Sequence, residues 1–480
     1  MSLSQSDIDR HVDEVVDAFD AKLGLRSQCE AYVTHQARAS AGRAARILLD
    51  DFSDIPFLDN IVGVEHYQLR TMLRAKEGDV CVVTCPSVPG YERYNQEHLG
   101  LGASTSLRID TGSLPPVAIA QAASRGENLT RLAEFAGRHE AITIAPYMSI
   151  GTVWDLATAL QAESGTPVSV LGPPPPATAF ANNKAHVTAF ANALVHPVLG
   201  RDAAVPTRVS DTVSGVVHDL LLIAETADEV AVKLPRCASA MGNYILRGAA
   251  QTALLERDEI ALDDIIRDVL AEKEWNGREE ILSVAWLDTA CSPSTQCWIP
   301  PLGSGKPYVE GVYEQLLVGP EKVFLGAVPA RLDSEHVTWL EAVSKLITAG
   351  YQKLGYVGRC SFDFIIHDET PYLVECNGRW GGTSIPMHLI DRVFNGRRPT
   401  YRARDYVSEA LVGAAFSDLA SALGEELFDR RTGNGTYIVY NVGCLEPFGK
   451  FDVIALGPSP EAAEEALEER LPRLLAAAGG

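Results

Sequence analysis

Residues 358–382, GRCSFDFIIHDETPYLVECNGRWGG, constrain this chain more than any other stretch. Ser361–Ile366 is apolar and rich in aromatic and β-branched residues. His367–Thr370 is a polar break, and Pro371–Val374 begins a second apolar run that ends in Glu375-Cys376-Asn377. The pattern predicts two short strands joined by a turn. Burying a charge without a partner is costly, yet Asp363 and Glu375 both lie within these runs. Strand alternation places Glu375, Asn377 and Arg379 on one face if the second strand continues that far, and a hairpin brings Asp363 alongside them. Two carboxylates, an amide oxygen and a guanidinium suit magnesium and the phosphate that accompanies it. The plainer alternative is that both acids sit solvated at strand ends, or form structural ion pairs with Arg359 and Arg379.

The chain has 480 residues, more than one ordinary core holds; about two to four domains are expected. An apolar content of 46% is that of a packed soluble protein. The net charge of −22 argues against a nucleic-acid partner, and an anionic substrate must be met by local Lys and Arg. The first residues lack the basic and apolar regions of a signal peptide, and no apolar run approaches the roughly 20 residues that span a bilayer. A cytoplasmic protein with no membrane partner is therefore expected. The nine cysteines are irregularly spaced. Cys81/Cys85 and Cys291/Cys297 have no paired His and fit no zinc pattern, so they read as small core residues in a reducing compartment. Alternation turns Cys376 away from its neighbours Glu375 and Asn377, so it reads as packing.

Residues 1–50 read as helical, with Ile8, Val12, Val15, Val16 and Phe19 at helical spacing and a second helix through Ala31–Leu49. From residue 51 to about 175 the pattern is α/β: strands at Asp79–Thr84, Ala141–Ala145 and Val168–Leu171, and a helix at Val153–Ala162, predict a small parallel sheet. Gly100 and Gly102 lack the preceding strand and third glycine of a dinucleotide loop. The Gly172–Pro176 run marks a linker and domain boundary. Asn182 or Asn183 caps a helix that opens with Lys184, which taken alone is a solvated first-turn lysine. Lys233 lies inside the strand-like run Glu229–Pro235, where lysine is unusual. The loop Arg236–Asn243, with Ser239 and Gly242, offers backbone N–H groups of the kind that cradle phosphate. Asp263–Val269 is helical and leads into Leu270–Trp275. Glu280–Leu287 is a strand, and Trp298 lies on the next. Gly303–Lys306 lacks the first glycine of a P-loop and is followed by proline, so it reads as a hairpin turn. Ser334–Leu354 is an amphipathic helix. The tail, 401–480, closes with strands at Tyr437–Val442 and Lys450–Ile454 and a final acidic helix from Ser459.

An Asp on one strand followed by Glu-x-Asn-x-Arg on the next resembles the metal-binding end of the ATP-grasp superfamily. Those enzymes activate a carboxylate with ATP and join it to an amine, or in carboxylases perform a related activation. The resemblance covers roughly residues 180–400. It implies an α/β (α+β) ATP-grasp fold. Residues 1–175 would form a helical cap and a pre-ATP-grasp α/β domain, 176–400 the nucleotide-binding and catalytic domains, and 401–480 a small α+β accessory domain. It also implies roles. Asp363, Glu375 and Asn377 would hold Mg²⁺. Lys184 and Lys233 would meet the ATP phosphates, with Ser239 and Gly242 in the phosphate loop. Glu272, Lys273 and Glu274 would form the hinge for adenine and ribose, the ribose falling to Glu272 or Glu274. Arg379, and Arg359 beside it, would stabilise an acyl phosphate and its oxyanion. The family often carries an Arg two residues before the first metal carboxylate; here that position is Ser361. Length and tail pattern further resemble the pheganomycin-type peptide ligases. The implied activity is ATP-dependent amide formation between an amino-acid-like or small-peptide carboxylate and an amine, in natural-product biosynthesis, with a homodimer as the assembly to test. The rival readings are a non-catalytic ATP-binding regulator and a carboxylase component. The biotin-carrier sequence Ala-Met-Lys-Met does not occur in the chain.

Overall fold

The structure, a computed structural model, describes residues 4–37, 44–56, 61–237, 241–289, 291–319 and 322–478. Its first sheet is all parallel, with strands β1 (Ala45–Leu49), β2 (Val80–Val83), β3 (Thr105–Arg108), β4 (Ile142–Pro146) and β5 (Val168–Val170) in the order β3-β2-β1-β4-β5. The helix expected through Ala31–Leu49 is not formed: Leu25–Glu30 is a short helix, and Ala45–Leu49 is the central strand of this sheet. Ile47, Leu48 and Leu49 are fully buried. A parallel strand covered on both faces shows an unbroken apolar run, which periodicity cannot tell from a buried helix. The proline run does not act as a free linker. Pro175 occupies the first turn of a helix, Pro175–Ala181, where its missing N–H is not needed.

The second sheet is antiparallel: β6 (Thr207–Ser210), β7 (Val230–Lys233), β8 (Asn243–Ile245) and β9 (Ile281–Ala285), ordered β6-β9-β7-β8. Helices Val213–Ile223 and Glu259–Glu272 cover one face through Val216, Leu220, Leu262 and Ile266.

The third sheet is also antiparallel and holds eight strands: β10 (Pro293–Ile299), β11 (Tyr308–Val318), β12 (Val323–Pro329), β13 (Gly358–His367), β14 (Thr370–Asn377), β15 (Thr400–Val407), β16 (Tyr437–Asn441) and β17 (Lys450–Gly457). Their order is β14-β13-β10-β11-β12-β15-β17-β16. The expected boundary at residue 400 therefore falls at the start of a strand that continues the same sheet. β15 pairs with β12 at Gly326, where a Cβ would run into the Ala403 carbonyl, so only glycine allows this approach.

Three packing contacts place the site. The N-terminal helix, Gln5–Leu23, buries Val12 and Val16 against helices Lys184–Leu199 and Ser334–Lys353 rather than against the parallel sheet. The same core receives Phe362 and Cys376 from the back of β13 and β14, as alternation requires for Cys376. On the other side, the helical turn Val64–Leu73 packs Leu69, Met72 and Leu73 against β16 and β17. The tail thus closes over the N-terminal domain. No helix of the described residues is long and apolar enough to cross a membrane.

Candidate active site

β13 and β14 form the hairpin, with Asp363 directly opposite Glu375 and Ser361 opposite Asn377. A β-bulge after Asp363 shifts the register there, so the two acids face each other and the next pair is Phe364 with Leu373. Ser294 of β10 stands opposite Asp363 on its other side. Its hydroxyl donates to Asp363 Oδ1 at 2.7 Å, and Asn377 Nδ2 donates to Oδ2 at 2.8 Å. Gln296 supports Ser294 with a 3.0 Å hydrogen bond, while its own carbonyl oxygen is buried without a donor among the described residues.

Lys184 reaches this hairpin from the first turn of its helix. Asn183 is the N-cap: its Oδ1 accepts from the N–H groups of Ala185 and His186 at 3.0 and 3.1 Å. Asn182 instead accepts from Gly378 N–H at 3.1 Å, which ties the helix start to the end of β14. Lys184 Nζ lies 2.9 Å from Glu375 Oε2 and donates to the Cys237 carbonyl at 3.0 Å. The lysine is 7% exposed, so the solvated reading does not hold. Lys233, on β7 of the second sheet, is also buried, with its ammonium 5.2 Å from the Trp286 ring centroid.

The electrostatics follow from this crowding. Burial, then the charge of Glu375, pushes the Asp363 carboxyl up to about 7, against the hydrogen bond from Ser294. Burial also works to raise Glu375, but Lys184, Lys233 and Arg379 outweigh it and hold it below the usual range. Burial pulls Lys233 down to about 8, partly opposed by Glu375. Lys184 is held above its ordinary value because Glu375 and Cys237 outweigh burial.

One cavity of about 800 Å³ joins these groups: Lys184, Lys233, Asp363, Glu375, Asn377 and Arg379 all line it. Asp363, Glu375 and the free carbonyl oxygen of Asn377 are hard oxygen donors, and the donor set fits Mg²⁺. The cavity continues between the second and third sheets past Val205, Met241, Trp286, Leu287, Leu317 and Phe324, which line it as an apolar slot.

The remaining expected residues lie elsewhere. Glu272 and Glu274 are exposed at the end of helix Glu259–Glu272 and do not line the cavity, and Glu274 has the left-handed backbone of a helix stop, φ 55°. Lys273 donates to the Met241 carbonyl at 2.9 Å. The expected hinge is thus a helix terminus. The segment that joins the second and third sheets and lines the cavity is Ala285–Thr289, just after β9. Its signal was an apolar run broken by Asp288 and Thr289 before the next strand. Gly242 packs where a Cβ would meet Cys237, the residue that receives Lys184; Ser239 lies outside the described residues. Arg359 does not reach the cavity. Its guanidinium is bidentate on Glu310 and stacks 4.4 Å from the Trp380 ring centroid.

Trp380, three residues after the end of the hairpin strand, lies within cation–π distance of two guanidinium groups, Arg359 and Arg74, the second at 5.0 Å and paired with Asp50. His388 meets the same ring edge-on at 5.2 Å. Burial, then the charges of Arg359, Arg392, Arg74 and Arg46, pulls His388 down to about 3. The unfolded chain protonates it near 6.5, so its contribution is complete above pH 6.5 and is lost as pH falls toward 3. Between pH 6.5 and 5 the wild type is expected to lose about 1–2 kcal/mol more than His388→Gln, read by urea unfolding at each pH. Parallel pH profiles would show that the imidazole takes up its proton in place.

The model of the Pre ATP-grasp domain matches residues 68–162, which hold β2, β3 and β4. No curated protein sequence matches the chain. Among solved structures, pyruvate carboxylase of Rhizobium etli is similar at TM-score 0.50 and 14% identity, over 92% of this chain and 39% of that one. The biotin carboxylase domain of Hydrogenobacter thermophilus 2-oxoglutarate carboxylase is similar at 0.49 and 14%, over 91% and 94%. N5-carboxyaminoimidazole ribonucleotide synthetase of Thermus thermophilus is similar at 0.48 and 15%, over 90% and 98%. With a pre-ATP-grasp domain at its N-terminal end and the sheets that follow arranged as described, the chain has the ATP-grasp fold.

Proposed function

We propose that this protein is an ATP-dependent carboxylate–amine ligase that forms an amide bond through an acyl phosphate, and that it acts as a peptide ligase of the pheganomycin type in natural-product biosynthesis. One observation carries the reading. Two lysines from the nucleotide-side elements and an Asp–Glu–Asn–Arg group from the hairpin converge on a single cavity with an apolar slot beside it. In this reading adenine occupies the slot along Ala285–Thr289, and Lys184 and Lys233 neutralise the ATP phosphates. Asp363, Glu375 and Asn377 hold Mg²⁺, which when bound screens the phosphate oxygens. The donor carboxylate attacks the γ-phosphorus and ADP leaves. Arg379, with no carboxylate within 4.0 Å among the described residues, stabilises the acyl phosphate and then the tetrahedral oxyanion as the amine displaces phosphate. Arg359 is not given this role, because Glu310 holds it.

ADP release in the presence of Mg-ATP and paired amino acids or short peptides tests the activity, and no release with any pair would count against it. Lys233→Glu places an anion where this reading puts phosphate. ATP affinity in isothermal titration is expected to fall by at least about 100-fold. Unchanged affinity would move the nucleotide elsewhere.

A further inference from the structure

A second charged centre lies in the same cavity, away from the hairpin. Tyr67, Arg70, Tyr147, Asp405, Lys450 and Asp452 all line it. Arg70 is 6% exposed, and its guanidinium carbon lies 4.7 Å from the Tyr67 ring centroid and 5.7 Å from that of Tyr147. Its Nε donates to the Tyr67 carbonyl at 3.3 Å. Among the described residues, no carboxylate lies within 4.0 Å of it. The other two buried arginines are each paired with an acid, Arg74 with Asp50 and Arg359 with Glu310. A guanidinium withdrawn from water and left without an anion is costly, and its planar fork matches a carboxylate.

The neighbours narrow the class of ligand. Lys450 is already satisfied, ion-paired with Asp405 and donating to the Tyr67 hydroxyl at 2.6 Å. Asp452 stands opposite Asp405 on the paired strands β15 and β17; one of its oxygens accepts from Asn441, and the other has no donor among the described residues. With Asp405 taken by Lys450, one acid, Asp452, and one cation, Arg70, are left, and together they oppose a dianion such as phosphate. They suit a molecule that carries an ammonium as well as a carboxylate. The acids that act on Arg70 are Asp452 and Asp50, whereas the cations that act on Glu375 are Lys184, Lys233 and Arg379. The groups that act most strongly on each centre differ, which favours a carboxylate on Arg70 other than the one activated at the hairpin.

We propose that Arg70, held between Tyr67 and Tyr147, anchors the free carboxylate of the amine acceptor, an α-amino acid or short peptide, with Asp452 on its ammonium side. This rests on the ligase reading for the word acceptor, but the binding can be tested without turnover. The twenty free L-α-amino acids, Gly-Gly and Ala-Ala are titrated into the full-length protein alongside their C-terminal amides, by isothermal titration. Members that bind are expected to do so about tenfold or more tightly as acids than as amides, the difference one charge-assisted bidentate contact makes. Arg70→Lys, which keeps the charge but not the fork, is expected to reduce that ratio to below about threefold and leave Mg-ATP affinity within about twofold. Acids and amides binding alike, no panel member binding, an unchanged ratio in Arg70→Lys, or inorganic phosphate competing better than the acids would each overturn the proposal. Should Arg70→Lys fail to fold, the acid-to-amide ratio of the wild type decides alone. Failure of the protein to bind Mg-ATP would instead remove the ligase reading while the ratio still reports on Arg70.

Discussion

Glu375→Gln is expected to lower ADP formation by roughly 10²–10³-fold and, separately, to destabilise the fold by about 3 kcal/mol. The two effects have different origins. The first is loss of an anionic oxygen from the group that would hold the cation. The second comes from Lys184, whose side chain is 8% exposed and would lose its 2.9 Å partner. Removing one member of a buried pair strands the other charge, which typically costs about 3–5 kcal/mol. The lower end applies because the Glu375 side chain remains 29% exposed on the cavity side. Urea unfolding and an ADP assay on the same preparation separate them. The double variant Lys184→Met/Glu375→Leu is expected to recover stability to within about 1 kcal/mol of wild type, since apolar groups replace a buried pair at little cost. It is expected to recover no activity. If the double variant also restored turnover, the carboxylate would be structural and the cation site would have to lie elsewhere.

Much of this site was legible because local pattern and chemistry agreed. Acids inside apolar strand runs are conspicuous, and period-two alternation correctly set Glu375 and Asn377 toward one face and Cys376 toward the other. The strand lysine at 233 stood out for the same reason. What could not be read depended on partners distant in sequence. The Ala45–Leu49 strand needs β2 and β4 on either side to be a strand at all. Glu272, Lys273 and Glu274 gave a plausible hinge, but the helix runs to Glu272 and leaves Glu272 and Glu274 exposed, while Lys273 is taken by the Met241 carbonyl. The segment that lines the cavity between the second and third sheets, Ala285–Thr289, has no charged pair to draw attention. Arg359 was near enough in sequence to serve Asp363, yet Glu310, 49 residues earlier, takes it. Arg70 carried no signal, because nothing local reveals that a guanidinium will be buried without an acid.

The largest stability effect is expected at a pair no motif marked. Asp50→Ala is expected to cost about 3–5 kcal/mol in urea unfolding, as much as any single change in the cavity. Asp50 is fully buried at the end of the central parallel strand, and Arg74, its partner, is 3% exposed. Arg74 also donates to the carbonyls of Ala145 and Pro146 and lies over Trp380, so it cannot swing out to water. Removing the acid leaves that charge against an aromatic face and two carbonyls, which soften the loss without cancelling it. The consequence reaches the site through geometry. Trp380 follows Arg379 directly, and its ring meets both Arg74 of the N-terminal domain and Arg359 of β13. Loosening one side of that contact is expected to weaken the placement of Arg379, raising KM for the donor or lowering kcat beyond what the lost stability explains at temperatures where the variant stays folded. Asp50→Leu/Arg74→Met removes both charges, and its unfolding midpoint is expected to return most of the way to wild type. If Asp50→Ala costs less than about 1 kcal/mol, the guanidinium must find another anion in the folded protein, and the pair would not be what fixes the N-terminal sheet to the hairpin.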